Sequence, residues 1–431
     1  MTPTWLTGLF LLAPQAGDLV AIRVKRAETG AGAPIEHALI LVEHGRIVEI
    51  GEDLPVARGI RVIEREDWVA TPGLISAHTR IGLERTQSRG FDPAVTPKSE
   101  IDPRQDAWRE LLELGVTTLG LYPDGQGIPG QAVIVRPYGD TLEEMLIEDS
   151  AYLKVYLQAN ASSKKALREA FKKADEHGEK VAKEKEKWDK EQEKKKKSSK
   201  SSSKDEKSEK TEDKKDGAAL QDEEEKKDEK PAEKGADGFV PPIPDERVKP
   251  FLDLRTGELT AMMTLRKAAD YVHLLDVIEN EKDMQWFLHF PLYDDCDFYE
   301  VAPKIGEAKK LVLTMPEVTL QQNALRERNI PAELLKAGAK VALLPRTDTL
   351  GGYRDWLPDV GRLVALGLPR DAALAALTLE QARALGLEER TGSLEKGKEA
   401  DLVLWSGDPF EPSSRVMAVM LDGKFVHGDV Q

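Results

Sequence analysis

Of the side chains able to do chemistry, the most informatively placed is a histidine. In TPGLISAHTRIGL, residues 71–83, Pro72 and Gly73 open a strand, Leu74 and Ile75 bury it, and His78 falls at its far end. A neutral imidazole in that position can ligate a divalent metal; the plainer alternative is a core imidazole hydrogen-bonded to backbone. Other reactive chemistries lack support. Cys296 is flanked by acids in YDDCDFY, which work against a thiolate, and no GxSxG nucleophile elbow occurs. As the single cysteine, it excludes an intrachain disulfide and a cysteine-based zinc cluster. The glycines of YPDGQGIPGQAV, residues 122–133, have no Lys-Ser/Thr pair after them and no helix opening there, so they read as a loop and not a phosphate cradle. His37, His44, His177, His273 and His427 have no ligand spacing to one another and read as structural.

The elements that must position His78 follow from periodicity. Residues 18–70 hold short β-branched runs broken by turn signals, DLVAIRV, HALILVEHGRIVEIG and IRVIEREDWVAT, with His44-Gly45 marking a tight hairpin. EADLVLW and VMAVMLDGKFVHG, within residues 399–428, repeat that grammar with Asp422-Gly423 as the turn. Isolated hairpins are marginal, so both chain ends are expected to build one discontinuous sheet domain, a small β-sandwich of residues 18–70 and 399–431. Between them helix and strand alternate. Asp102-Pro103 reads as the start of a helix carrying Trp108, Leu111, Leu112 and Leu114 and ending at Gly115. The strands VTTLGLY, LKVYL, LTAMMTL, QWFLHF, KKLVLTM and KVALLP alternate with helices such as KAADYVHLLDVIE and residues 332–337. That alternation implies a parallel sheet, and the count approaches a TIM-like (β/α)8 barrel over residues 71–160 and 239–398. The expected class is α/β.

Composition bounds the partners. Residues 161–240 hold 24 Lys or Arg and 23 Asp or Glu, which leaves 38 and 54 for the other residues. The folded part is therefore acidic, which argues against nucleic acid as a partner. No apolar run reaches membrane-spanning length, so no stable membrane insertion is expected. Residues 161–238 form a charged low-complexity insertion. Residues 162–194 can make a solvated helix, whereas 195–238 have almost no apolar side chains and are expected to be disordered, tolerated because loop-closure entropy grows slowly with length. The apolar stretch 5–13 within residues 1–17 has the length of a signal-peptide core but no preceding Lys or Arg, and Pro14 spoils the cleavage spacing. Export is expected from it, with a cytoplasmic location and an untidy packed terminus as the alternative.

The segment ending in His78, together with AALAALTLEQARALGLEERTGSLEKGKEADLVLWSGDPF at residues 372–410, resembles the amidohydrolase superfamily, and within it imidazolonepropionase-like and related cyclic-amide or dipeptide hydrolases. The resemblance covers both ends and is looser in the middle. It implies hydrolysis of C–N bonds other than ordinary peptides: a divalent metal, zinc first among candidates, lowers the pKa of bound water, an Asp takes its proton, and hydroxide attacks a polarised carbon. Carried over residue by residue, His78 matches the first position of a His-x-His pair. The second position is Arg80, which has no lone pair to donate. Ser76 stands where the family has an Asp before this motif. The next ligand position falls at Met263 or Thr264, neither a normal zinc ligand. His289, ending QWFLHF, matches the following histidine, although its Leu288, Phe290 and Pro291 neighbours also suit a satisfied buried imidazole. Asp348 in LLPRTDTLGG matches the aspartate that is both ligand and general base; a polar turn around Thr347, Thr349, Gly351 and Gly352 is the alternative. Lys154 in LKVYL is a candidate for a bridging strand lysine, against the ordinary occurrence of Lys on strands.

Two functions are thus expected to compete. One is an active hydrolase using His78, His289 and Asp348 around a metal, with a small amide-type substrate. The other is a silent barrel without a metal that binds a ligand or pairs with itself or a related hydrolase. In the second, the Arg80 guanidinium would pair with Asp348 and stand in the place of metal charge.

Overall fold

The computed structural model describes residues 19–84, 89–201, 238–292, 296–321 and 324–430. The apolar stretch 5–13 and residues 202–237 of the charged insertion lie outside the described residues. The chain divides into two compact units, residues 166–252 and the rest.

In the larger unit the strands run in chain order as β1 (Val20–Ala27), β2 (Ala38–Glu43), β3 (Arg46–Glu52), β4 (Arg61–Pro72), β5 (Leu74–Thr79), β6 (Val116–Leu121), β7 (Val133–Val135), β8 (Leu146–Glu148), β9 (Tyr152–Tyr156), β10 (Thr260–Thr264), β11 (Gln285–Phe290), β12 (Leu311–Thr314), β13 (Lys340–Leu343), β14 (Leu402–Trp405), β15 (Val416–Leu421) and β16 (Lys424–His427). Strands from both ends of the chain share one 8-stranded sheet in the order β16-β15-β14-β4-β1-β2-β3, with Ile35–Glu36 beside β1. Alternation buries Ile22, Val24, Ile40, Val42, Ile63, Leu402, Leu404 and Met420 in one apolar cluster. Both hairpin turns take the conformation their sequences demand, with φ of 48° and 77° at His44 and Gly45 and of 47° and 74° at Asp422 and Gly423. The two turns also lie against each other. A Cβ on Gly423 would come within 2.8 Å of the Gly45 Cα, so glycine is needed there for the approach as well as for φ.

The strands that carry the candidate site form two further sheets. One is 6-stranded and ordered Gly130–Gln131, β9-β10-β11-β12-β13, parallel from β9 onward. The other is 4-stranded, β8-β7-β6-β5, with β5 and β6 parallel. Residues 130–135 pass from one sheet to the other. The sequence suggested a single closed cylinder; among the described residues the hydrogen bonds instead draw two arcs, and no ladder joins β5 to β13. A side chain spans that seam. The buried Gln381 accepts from Ala77 N at 3.0 Å and donates to Leu343 O at 2.7 Å. It thereby satisfies the Ala77 N–H, a group that costs about 1–3 kcal/mol when buried unpaired, and joins the Trp356 indole on Leu343 O.

Two expectations need correction. The helix after Asp102 begins only at Asp106 and runs to Glu113, because Asp102 instead closes a turn, its carboxylate accepting from Arg104 N at 3.1 Å and its carbonyl from the Trp108 indole at 2.8 Å. In the insertion, a helix runs over Ala161–Ser201, beyond the expected end near 194. Leu167, Ala170, Phe171 and Ala174 are buried, an i, i+3, i+4, i+7 stripe, and Phe171 meets Phe251 edge-on with centroids 5.4 Å apart. The start of the smaller unit is thus a packed helix and not merely a solvated one, and further along Glu179–Lys183 and Glu186–Lys190 pairs at i, i+4 support it.

Candidate functional site

Parallel strands deliver their C-terminal ends to one edge, and five of the strands in the two arcs contribute there. β5 supplies His78 and Thr79, β9 supplies Tyr152 and Lys154, β10 ends in Thr264, β11 carries His289, and Tyr122 directly follows β6. Asp348 lies in the loop between β13 and the helix Leu350–Ala365, whose N-cap Thr349 accepts from Gly352 N at 3.2 Å. The candidate residues His78, His289 and Asp348 therefore come to the same edge, and Thr264 stands directly beside His289 in the β10–β11 register.

The two imidazoles face each other with ring centroids 4.6 Å apart. Tyr152 OH donates to Ala77 O at 3.0 Å, which leaves its oxygen to accept from His78 Nδ1–H at 2.7 Å. That assigns the His78 tautomer and leaves Nε2 with its lone pair. Thr264 Oγ1 lies 3.2 Å from His289 Nδ1. Burial, the proximity of His289 and the charge of Lys154 hold His78 well below the ordinary imidazole value. Burial and Lys154 bring His289 down to about 3. Both rings are neutral at physiological pH.

Tyr122, which sequence reading placed only at the end of a strand and the start of a glycine-rich loop, is at the centre. Its ring stacks on His78 at 3.7 Å with planes 7° apart, Lys154 Nζ sits 3.8 Å from its centroid, and its hydroxyl donates to Asp348 Oδ2 at 3.3 Å. Asp348 Oδ1 accepts from Thr79 Oγ1 at 2.8 Å. Asp348 is open to solvent but walled on its inner side. Those walls push its carboxyl above the usual carboxylate range, against the hydrogen bonds from Thr79, Tyr122 and the Arg80 backbone and the charge of Lys154. The buried amine of Lys154 is brought down to about 7 by desolvation, opposed by Asp124 and Asp348.

Arg80 overturns one expectation. Its guanidinium does not pair with Asp348; it turns to Glu100, 3.0 Å away, and also donates to the carbonyls of Tyr122 at 2.8 Å and Glu84 at 3.1 Å. Glu100 is buried, so a buried carboxylate claims the fork and braces the loop after β5.

The donor set does not fit a divalent ion. Among the described residues no three His, Cys, Asp or Glu side chains are placed to share one. One family ligand position holds an arginine committed to Glu100, the other a threonine, and both Asp348 oxygens are engaged by hydroxyls. A separate cavity of about 530 Å³ is lined by Arg26, Glu28, Arg370, Glu380 and Arg383 among others, and by none of the residues above. Its arginines are paired within the lining, Arg26 and Arg370 with Glu28 and Arg383 with Glu380.

Comparison with known proteins bears on the whole chain and on its C-terminal part. The protein is similar in fold to an amidohydrolase from Thermotoga maritima MSB8, with a TM-score of 0.71 and 21% identity over 95% of this chain and 100% of that one. It also resembles a zinc-bound adenosine deaminase from Xanthomonas campestris, with a TM-score of 0.50 and 15% identity over 95% of this chain and 93% of that one. In sequence, residues 322–427 match a family model described as amidohydrolase family. The imidazolonepropionase of Mesorhizobium japonicum is 59% identical over 39 residues, 9% of this chain, and that of Rhizobium meliloti 38% identical over 90 residues, 20% of this chain. These stretches span 10% and 21% of those relatives' own lengths. The α/β amidohydrolase fold is thus shared along nearly the whole chain, and the sequence likeness to the amidohydrolase family lies in residues 322–427.

Proposed function

We propose that this protein hydrolyses a C–N bond of an amide type in a small molecule, at the edge where His78, His289, Asp348 and Lys154 converge around Tyr122. That convergence, from strands distant in the chain, is the observation that carries the reading. Asp348 is reached by solvent and is held by two hydroxyls and the Arg80 backbone, with no guanidinium on it, so it can take a proton from a water molecule. The resulting hydroxide adds to the carbonyl carbon, the Lys154 ammonium offsets the charge developing on the carbonyl oxygen, and the departing nitrogen takes the proton back from Asp348 as the C–N bond breaks. Neutral His78, with Nε2 free to accept under the assigned tautomer, orients the substrate by hydrogen bonding.

A zinc ion held by His78, His289 and Asp348 is the cofactor that the family resemblance implied, and the donor set described above supports a reading without it. The expected two-part layout, a composite sheet domain beside a (β/α)8-type barrel, remains part of this proposal. A second reading, a ligand-binding protein without turnover, is favoured by one observation: the second ligand position is an arginine already committed to Glu100. The test is a screen of cyclic amides, hydantoins and Xaa-Pro dipeptides for ring opening or amine release, with elemental analysis of the same preparation. Turnover that falls by at least about 100-fold in Asp348→Asn supports hydrolysis. Binding of the same compounds, seen as a raised Tm, with no product formed from any of them, replaces it with the second reading.

A further inference from the structure

We propose that Lys154 takes the place of a divalent ion in this site, supplying its positive charge between the two imidazoles and Asp348 and barring a metal from settling there. The inference rests on the reading above for the identity of the reaction edge, but its test reads metal uptake and not turnover.

Three observations lead to it. Lys154 lies on β9, whose neighbour β10 ends in Thr264, which in turn contacts His289, so its amine enters the site from the strands that would otherwise complete the ligand set. Its side chain is buried, with Nζ 3.8 Å from the centre of the Tyr122 ring, and that same ring covers His78 and hydrogen-bonds Asp348. The rings of His78 and His289 lie 4.6 Å apart, so an ion held by both would sit in the same buried cluster as the amine over Tyr122. A second cation brought among those donors would meet an ammonium in a region of low dielectric, where like charges repel far more strongly than in water. The family's other ligand positions meanwhile hold groups that cannot offset that repulsion: Arg80 is itself cationic and Thr264 is neutral.

The experiment is zinc titration of the full chain by calorimetry, with the zinc content of dialysed protein measured by mass spectrometry, on wild type, Lys154→Met and Lys154→Glu. Methionine keeps an unbranched side chain one atom shorter and removes the amine; glutamate adds an oxygen donor beside two neutral imidazoles. The wild type should retain well under about 0.1 equivalent of zinc, Lys154→Met should bind zinc at least about 10-fold more tightly, and Lys154→Glu should retain about one equivalent. Circular dichroism of each variant establishes that it is folded; should the glutamate variant not fold, the methionine variant decides. Unchanged zinc affinity in folded Lys154→Met overturns the proposal. So does a wild type that keeps one equivalent of zinc through dialysis and loses it in Lys154→Met, since the lysine would then support the metal instead of replacing it.

Discussion

Asp348 and Asp401 are both aspartates whose carboxyls are held above their ordinary range by the protein packed around them, yet they are managed in opposite ways. Asp401 is sealed inside the fold. Its carboxylate accepts from Asp422 N at 2.8 Å, and Arg136 reaches it at 3.4 Å while binding the neighbouring Glu399 at 2.8 Å; Glu399 is in turn held by Arg390 at 3.0 Å. Asp348 stands open to solvent, held by two hydroxyls and the Arg80 backbone, with the Lys154 charge as a smaller influence. A carboxylate locked into a guanidinium network serves to pin strands, here β14 to the β15–β16 turn. One held by weaker, neutral donors at an edge that water reaches keeps its capacity to exchange a proton.

The sharpest way to break this contrast is on the structural side. Arg136→Met leaves Asp401 without a cation and Glu399 with Arg390 alone, and should cost about 3–5 kcal/mol in urea unfolding, because a buried carboxylate loses its compensation. A cost within experimental error would mean that the network pins nothing. The next effect belongs to the imidazole pair. Both rings are neutral when folded and accept protons on unfolding, so the unfolded chain binds more protons below the ordinary imidazole value of roughly 6.5 and stability must fall as pH drops from there toward about 3. A urea midpoint that declines over that window, with a shallower decline in His289→Gln, is the expected result; a flat midpoint would contradict neutral buried rings. The smallest effect should be at Asp348 itself. Asp348→Asn should change stability by no more than about 0.5 kcal/mol, since the residue is exposed and an amide oxygen can still accept from Thr79 or Tyr122. Large destabilisation there would move Asp348 into the structural class with Asp401.

What could be read from the sequence depended on how local its cause is. The hairpins at His44-Gly45 and Asp422-Gly423 were legible because positive φ is a property of the residues in the turn. The parallel strands were legible from their apolar runs, whereas the meeting of His78, His289 and Met263 or Thr264 at one edge was implied only by the family resemblance. Tyr122 was not, because a tyrosine after a strand has no signal until the loop from 123 to 130 turns its ring over His78. Arg80 misled for a similar reason: its pairing depends on where the chain takes Glu100, twenty residues on at the end of a single 3-10 turn, Pro97–Glu100, too short to show a sequence period. Gln381 was equally silent, since a buried amide that links two strand edges looks like any glutamine in a helix.

The sheet shared by both chain ends also sets a schedule for folding. β4 leaves the ribosome about 330 residues before its antiparallel neighbour β14. At synthesis rates of roughly 5–20 residues per second the early strands wait tens of seconds with one flank uncovered. During that interval β4 is a bare edge able to recruit a strand from another nascent chain, so the yield of correctly folded protein in a cell should depend on chaperone supply and on how crowded the polysome is.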